Sequence, residues 1–110
     1  MIGALRHALR LQEAHRSPGG GGGWHPVWQD VAAQPLVYAA IETAGGGETL
    51  RHHRRESAVS HRLRIRFRAD VAAGMRFVDA AGTAAYDIVS VHDAAGEGRW
   101  LDIAALKRPL

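Results

Sequence analysis

The sequence contains no cysteine among its 110 residues. Without thiols, the chain can form no disulfide framework, thiolate nucleophile or thiolate metal site. A chain of this length is expected to fold as one domain spanning residues 1–110 and to bury a single modest core. Its stability must therefore come from packing or from assembly with other subunits.

Long apolar runs are missing as well. No stretch approaches the roughly 18–20 apolar residues that a membrane-spanning helix requires. The N-terminal sequence "MIGALRHALR" carries arginines where a signal peptide has an apolar region. We therefore expect that the protein does not associate with membranes and that it is assembled in the cytoplasm.

Lysine is nearly absent, since thirteen of the fourteen basic residues are arginine, and a GC-rich coding bias is sufficient to explain that preference. The distribution of charge is more informative. Residues 51–68 contain seven of the fourteen basic residues and one of the eleven acidic residues, so this segment has a formal charge of +6 and the remainder −3. Such a segment suits either nucleic acid or the acidic part of a second copy.

The N-terminal half predicts strands interrupted by loops. Residues 5–13 alternate between apolar and polar with the period of a half-buried strand, although an amphipathic helix competes. The glycine-rich segment 17–23 predicts a flexible hairpin loop, because it lacks the Lys-Ser/Thr pair of a phosphate-binding loop. Residues 24–42 predict one or two strands, interrupted at Pro26 and Pro35.

The C-terminal half predicts a meander of strands joined by glycine-containing turns at "AAGT" and "AAGEG". The strand 61–68 would place Leu63, Ile65 and Phe67 in the core and arginines on its other face. Further along, Tyr86, Ile88 and Ser90 are expected to share one face of a later strand. The fold class is therefore mainly β: a small β-barrel, or two packed sheets, of about six or seven strands with one long polar insertion at about 45–60, in which a short helix could form.

A search for chemistry finds little. His52 and Glu56 have a spacing that can chelate zinc on a helix, but Arg51, Arg54 and Arg55 surround them and would repel a cation. No serine lies in a nucleophile-elbow motif, and no Ser/His/Asp set can be supported from sequence order. We expect no catalytic residues, no metal and no cofactor.

The basic strand has three interpretations. It could be a solvated edge where charge blocks aggregation, or a surface that binds DNA phosphates. It could also be a subunit interface, in which arginines form bidentate pairs with acidic groups of a neighbouring copy. The residues of that interface would be Arg62, Arg64, Arg66 and Arg68 on one side and Asp79, Asp87, Asp93 and Glu97 on the other.

A succession of short motifs adds to these observations. The order is "IGALRHALRLQ", Trp28 before a strand ending in "AAIE", "GGGETL", "SHRLRIRFR", "GMRF", "YDIVSVHD" and "GRWLDI". In this order and spacing the chain resembles the phage head–tail joining proteins, also called head-closure, stopper or head–tail adaptor proteins, of tailed phages and gene transfer agents. The resemblance covers nearly the whole chain and is best between residues 60 and 103.

The resemblance implies a small β-barrel that assembles as a sixfold or twelvefold ring in the neck of the particle. One face of the ring would dock on the adaptor and portal proteins, the other would receive the tail terminator or tail proteins, and the ring would retain packaged double-stranded DNA. The family's inserted loop corresponds to residues 45–60. Its basic residues would face the channel DNA or a neighbouring ring: Arg51, His52, His53, Arg54 and Arg55.

Two features depart from the family pattern, namely the long glycine run and Gln34-Pro35 in place of a continuous strand. Both concern the pairing of the N-terminal strands. The alternative function is a free-standing barrel of the OB or SH3-like kind that binds nucleic acid without sequence specificity.

Overall fold

A computed structural model describes residues 4–18, 24–44 and 59–110. These residues form a mainly β protein, as predicted, with a single short 3₁₀ turn (Ala94–Gly96) in the described ranges. The seven strands are β1 (His7–Pro18), β2 (Trp24–Asp30), β3 (Leu36–Thr43), β4 (His61–Arg66), β5 (Arg76–Asp79), β6 (Ala84–Asp93) and β7 (Trp100–Pro109).

Six of these strands close into a barrel. They pair in the order β1-β3-β4-β7-β6-β5, every neighbouring pair is antiparallel, and β5 pairs back onto β1. The closing ladder joins residues 9–12 to residues 76–79. Because closure removes the sheet edges, the barrel alternative of the sequence analysis is confirmed.

The barrel interior is filled by the apolar positions of the alternating strands. The largest fully buried side chains are Phe77, Leu9, Leu11, Leu63, Ile65 and Ile103. Burying each such side chain contributes about 1.5–3 kcal/mol. The core faces of β1 and β4 are therefore those that the period-2 pattern predicts.

Strand β2 lies outside the barrel. It pairs with residues 12–18 of β1, whereas β5 pairs with β1 no further than Gln12. Residues 13–18 and 24–30 thus extend beyond the barrel as a two-stranded unit, which we call the ribbon. Ser17 and Pro18, predicted to be in a loop, belong to β1, and residues 19–23 lie outside the described residues.

Strands β2 and β3 follow one another along the same edge of β1. The Leu11 amide donates to the carbonyl of Pro35 (2.8 Å), and the Leu11 carbonyl accepts from the amide of Val31 (3.0 Å). Residues 31–35 therefore form a bulge opposite a single residue of β1, in which Val31 packs into the core and residues 32–34 are exposed. This bulge is where Gln34-Pro35 departs from a continuous strand.

The antiparallel pairing gives the barrel two distinct ends. At the insertion end, β3 leads into residues 45–60 and β5 turns into β6. At the ribbon end lie the ribbon, the connector 67–75 and the β6–β7 turn. Except for Val59 and Ser60, the predicted insertion and any short helix within it lie outside the described residues.

Two details of the predicted strands are wrong. Strand β4 ends at Arg66, so Phe67 leaves the sheet and is 43% exposed instead of buried in the core. In β6 the register shifts between Ile88 and Ser90, and a β-bulge of this kind reverses the face on which the following residues lie. Val91, and not Ser90, therefore packs against the core.

Candidate interaction surfaces

The arginines of β4 lie on the outer wall of the barrel. Leu63 and Ile65 are fully buried, and the alternate positions 62, 64 and 66 point outward between β3 and β7. This arrangement confirms the two-faced strand that the sequence predicts. The individual arginines, however, have different surroundings.

Arg64 is neutralised by its own chain. Its Nε donates to Oδ1 of Asp102 (2.7 Å) and its Nη2 to Oδ2 (3.0 Å), which is the bidentate geometry of the strongest ion pairs. The hydrogen bond to Asp102 raises the pKa of the guanidinium. Sequence reasoning missed Asp102, because the two residues are 38 positions apart and meet only through the β4–β7 ladder.

Arg68 has a structural position at the foot of the ribbon. Its guanidinium donates to both carboxylate oxygens of Asp70 (2.9 and 2.8 Å) and to the backbone carbonyls of Gln34 (2.7 Å) and Ala33 (3.0 Å). The side chain is only 18% exposed. Arg68 thus fixes the 31–35 bulge, in which Gln34 has a φ of 50°.

Three of the four predicted acidic partners also have intramolecular roles. Asp79 accepts hydrogen bonds from the amide and the hydroxyl of Thr83 (both 2.8 Å) and so closes the β5–β6 turn. Asp87 accepts from Nε of Arg108 at 2.6 Å. Both carboxylate oxygens of Asp93 accept from the amide of Gly98 at 3.0 Å. Glu97, the fourth, is exposed in the β6–β7 turn.

Arg62 and Arg66 are the exposed members of the arginine set. Neither forms an ion pair with another described residue. The Arg66 guanidinium lies over the ring of Trp100, 5.2 Å from its centre. These two side chains are therefore the arginines of β4 that remain available to an outside partner.

An apolar groove borders Arg66 and was not predicted from the sequence. It has a volume of about 290 Å³ and is lined by Leu5, Leu36, Tyr38 and Phe67. The last three are 53%, 54% and 43% exposed, and they are half of the large hydrophobic side chains that are exposed in the described ranges. Clustered apolar exposure of this kind marks an interaction surface. Its residues come from three separate segments, so no sequence signal could have revealed it.

Ser60 ties down the base of the insertion. Its amide donates to Ala105 O (2.9 Å) and its carbonyl accepts from the Ala44 amide (3.0 Å). Its hydroxyl accepts from the Lys107 amide (2.8 Å) and lies 2.9 Å from Nδ1 of His61. Burial, and then the charge of Lys107, lowers the pKa of His61.

Arg51, His52, His53, Arg54 and Arg55 all lie outside the described residues. Their role facing DNA or a neighbouring ring stays a prediction.

A polar network holds the ribbon against the barrel. Gln12, only 9% exposed, donates to Asp30 (2.9 Å) and accepts from Nε of Arg76 (2.9 Å). The Arg76 guanidinium lies 4.4 Å from the ring centre of Trp28, the closest cation–aromatic contact found in the described ranges. The ribbon's orientation therefore depends on a few side chains at its foot.

The outer edge of the ribbon is protected by a proline. The Val31 amide points toward β1, so alternate residues of β2, including position 26, direct their backbone groups away from β1. Pro26 thus removes a donor from an edge that pairs with no other described strand, a common way to prevent strand addition. The ribbon is suited to contacts through its faces more than through its edge.

The described ranges lack two further features. They contain no cluster of three or more histidine, aspartate or glutamate side chains that could hold a metal ion. No helix found there is long and apolar enough to cross a membrane.

The comparisons with known proteins agree with this architecture. The family model of the phage head completion protein matches residues 1–108, and the chain therefore belongs to that family. No curated protein matches the sequence. Family membership confirms the resemblance described above and supports a structural role in completing the phage head.

Two solved structures share the fold. A chain in the virion of a native gene transfer agent particle is 23% identical, with a TM-score of 0.66 over 98% of this chain and 97% of the other. A Shigella flexneri 2a protein, solved in solution, is also 23% identical, with a TM-score of 0.67 over 94% and 93% of the two chains. The overall fold of this chain is therefore shared with both of these structures.

Proposed function

We propose that this protein is a structural connector subunit that forms a ring in the neck of a tailed phage or gene transfer agent. The observation that carries this proposal is the match of the head completion family to nearly the whole chain. A chain of the same fold in a gene transfer agent virion supports a place in a particle. The whole chain, 1–110, acts as one head–tail joining domain.

The two ends of the barrel suit a part that joins two different neighbours. Residues 45–60 leave from one end and the ribbon extends from the other. In a neck ring, one end contacts the adaptor or portal proteins and the other the tail terminator or tail proteins. The basic residues 51–55 then face the channel, where phosphate contacts retain double-stranded DNA without base recognition.

Deletion of the protein tests this function. Particles made without it are expected to package DNA, lose it before tail attachment and accumulate as empty, tailless heads, and the intact gene supplied in trans restores them. Normal tailed and DNA-filled particles from the deletion would contradict the proposal.

DNA retention by the insertion has its own test. The triple variant Arg51→Glu, Arg54→Glu and Arg55→Glu is expected to fold and enter particles but to reduce their DNA content. Reversal of Arg6 and Arg99, exposed arginines on other segments, is the matched control. Normal DNA content in the triple variant would show that these arginines form only a solvated surface.

A second function is favoured by the outer wall, where the exposed Arg66 lies over the ring of Trp100 and borders the groove that Tyr38 lines. Arginines with aromatic side chains are typical of non-specific nucleic-acid binding. If the isolated protein binds DNA at micromolar affinity with a steep salt dependence, the free-standing nucleic-acid-binding barrel gains support. Absence of binding, with association only to particle proteins, would reject it.

A further inference from the structure

Intramolecular contacts leave only a few of the predicted interface residues available to a neighbouring copy. Arg64 and Arg68 are neutralised within the chain, and three of the four acidic partners are engaged in turns or in a salt bridge. Arg62, Arg66 and Glu97 remain exposed, and none of them forms an ion pair with another described residue. Arg66 and Glu97 lie at the same end of the barrel, the ribbon end, whereas Arg62 lies toward the insertion end.

Each of these two charges belongs to a shaped surface. Arg66 borders the apolar groove formed by Leu36, Tyr38 and Phe67. Glu97 lies in the β6–β7 turn beside Ala95, which is exposed and has a φ of 59°, a strained conformation for a residue other than glycine. Asp93 holds this turn closed through the Gly98 amide. One surface is a recess with a cation at its rim, and the other is a rigid protrusion with a carboxylate.

We infer that the β6–β7 turn of one copy of this chain docks into the apolar groove of the next copy, with Glu97 of one copy paired to Arg66 of the other. This interface rests on the proposed ring. The occupant is a second copy because the same chain carries both members of the complementary pair: recess with protrusion and guanidinium with carboxylate. Two unlike surfaces of this kind give a head-to-tail contact, which closes into a ring when the rotation between successive copies divides a full turn.

The angular separation of the two surfaces supports sixfold closure. The groove lies at β3 and β4, and the turn joins β7 and β6, two strand positions further around a six-stranded barrel. In an evenly spaced six-stranded barrel whose axis is parallel to the ring axis, that separation corresponds to about 120°, because each strand occupies about 60°. A closed ring of six subunits requires about 120° between the two contact faces of each subunit, whereas a ring of twelve requires about 150°.

Cross-linking tests the contact directly, because the chain has no cysteine of its own. The double variant Tyr38→Cys and Ala94→Cys, treated with a short bismaleimide in purified particles, is expected to give a ladder of linked species that ends at the hexamer. Each single variant should give no ladder beyond a dimer. The matched control is the double variant Tyr38→Cys and Val89→Cys. Both of its positions are exposed, but Val89 lies on β6 away from the turn, so this variant should give no ladder.

Charge exchange provides an independent measurement. Arg66→Glu and Glu97→Arg should each reduce incorporation into particles at least about tenfold, and the double exchange should restore most of it. Arg62→Glu, on the same strand but away from the groove, should change incorporation less than about twofold. Thermal unfolding of each variant checks that it folds. Because Glu97 is exposed in a turn, Glu97→Arg is expected to disturb folding less than Arg66→Glu.

The outcomes separate this interface from the proposed function. A hexameric ladder with rescue by the double exchange supports both. Particles that contain the protein in a ring but give no 38–94 linkage, or no rescue, would overturn the interface and leave the connector function standing. Absence of the protein from particles would overturn both.

Discussion

The insertion end and the ribbon end of the barrel are held together by different kinds of contact. At the insertion end, Ser60 uses its backbone groups and its hydroxyl to join the ends of β3 and β7. At the ribbon end, a partly buried set of side chains around Gln12 holds two strands that pair with no third strand among the described residues. The base of the insertion thus continues the hydrogen-bonded ladder of the barrel, whereas the ribbon is attached to the barrel through side-chain contacts.

This difference has a consequence for stability and motion. A two-stranded ribbon is marginally stable in water without further packing, so its foot contacts decide whether it keeps one orientation. The base of the insertion, in contrast, shares the cooperativity of the closed barrel. We therefore expect local opening at the ribbon end to need less free energy than opening at the base of the insertion.

The largest effect should come from the core that both ends share. Phe77 is fully buried, so Phe77→Ala should reduce the free energy of unfolding by about 3–5 kcal/mol through lost burial and a residual cavity. Val89→Ala, at an exposed bulge position, is the control and should change it by less than about 0.5 kcal/mol. Chemical denaturation measures both. Equal losses would mean that Phe77 is not the centre of the barrel.

Next in size is the foot of the ribbon. Gln12→Ala removes the partner of Asp30 and of the Arg76 Nε and should cost about 1–3 kcal/mol, since partly buried polar groups lose their hydrogen bonds. Amide exchange should accelerate in the ribbon and stay unchanged near Ser60. Gln29→Ala, exposed on the same ribbon, is the control. Uniform acceleration throughout the barrel would show that the ends are not independent.

A smaller effect is expected at the base of the insertion. Ser60→Ala removes the acceptor of the Lys107 amide and should cost about 1 kcal/mol. Exchange of the Lys107 amide should accelerate, while the ribbon amides keep their wild-type rates. Ser60→Thr retains the hydroxyl and serves as the control. Loss of amide protection in the ribbon alone would contradict this comparison of the two ends.

The smallest effect is a pH dependence specific to the insertion end. The pKa of His61 in the folded protein lies below its ordinary value of 6.5, so the unfolded chain binds this proton more readily. Stability should therefore decline as the pH falls through 6.5 and level off below the folded pKa. His61→Gln should remove this slope when unfolding is measured from pH 8 to pH 5, and an unchanged slope would assign it elsewhere.

Carboxylates titrate in a separate, more acidic range. The pKa of Asp70 is lowered, first by its hydrogen bond from Arg68. Burial raises the pKa of Asp79, but hydrogen bonds from the β5–β6 turn outweigh this effect and leave it lowered. Their stabilisation is present above about 3.8 and is lost as the pH falls through the folded pKa. The His61 effect can therefore be measured without interference from these two carboxylates.

The sequence predicted the parts of the fold that depend on local pattern. Alternation placed Leu9, Leu11, Leu63 and Ile65 in the core because strand periodicity is a property of neighbouring residues. It could not predict the bulge in β6, since the extra residue at Val89 has no local signature and is defined by its partners on β7. The exposure of Phe67 was not predicted either, because the end of β4 at Arg66 is defined by its pairing with β7.

The interaction surfaces were predicted less completely. The arginine strand was visible as a pattern, but which arginines are neutralised depends on strand pairing between distant segments, as in Arg64 with Asp102. The apolar groove combines residues from three separate segments, so no single stretch of sequence reveals it. The role of residues 51–55 stays a prediction that is based on composition and family resemblance.

A reconstruction of the particle neck by cryo-electron microscopy tests the central claim most directly. We predict a ring of this chain at the junction of head and tail, with the insertion end and the ribbon end directed toward different neighbouring proteins. The protein found outside the junction, or present without ring symmetry, would contradict the account.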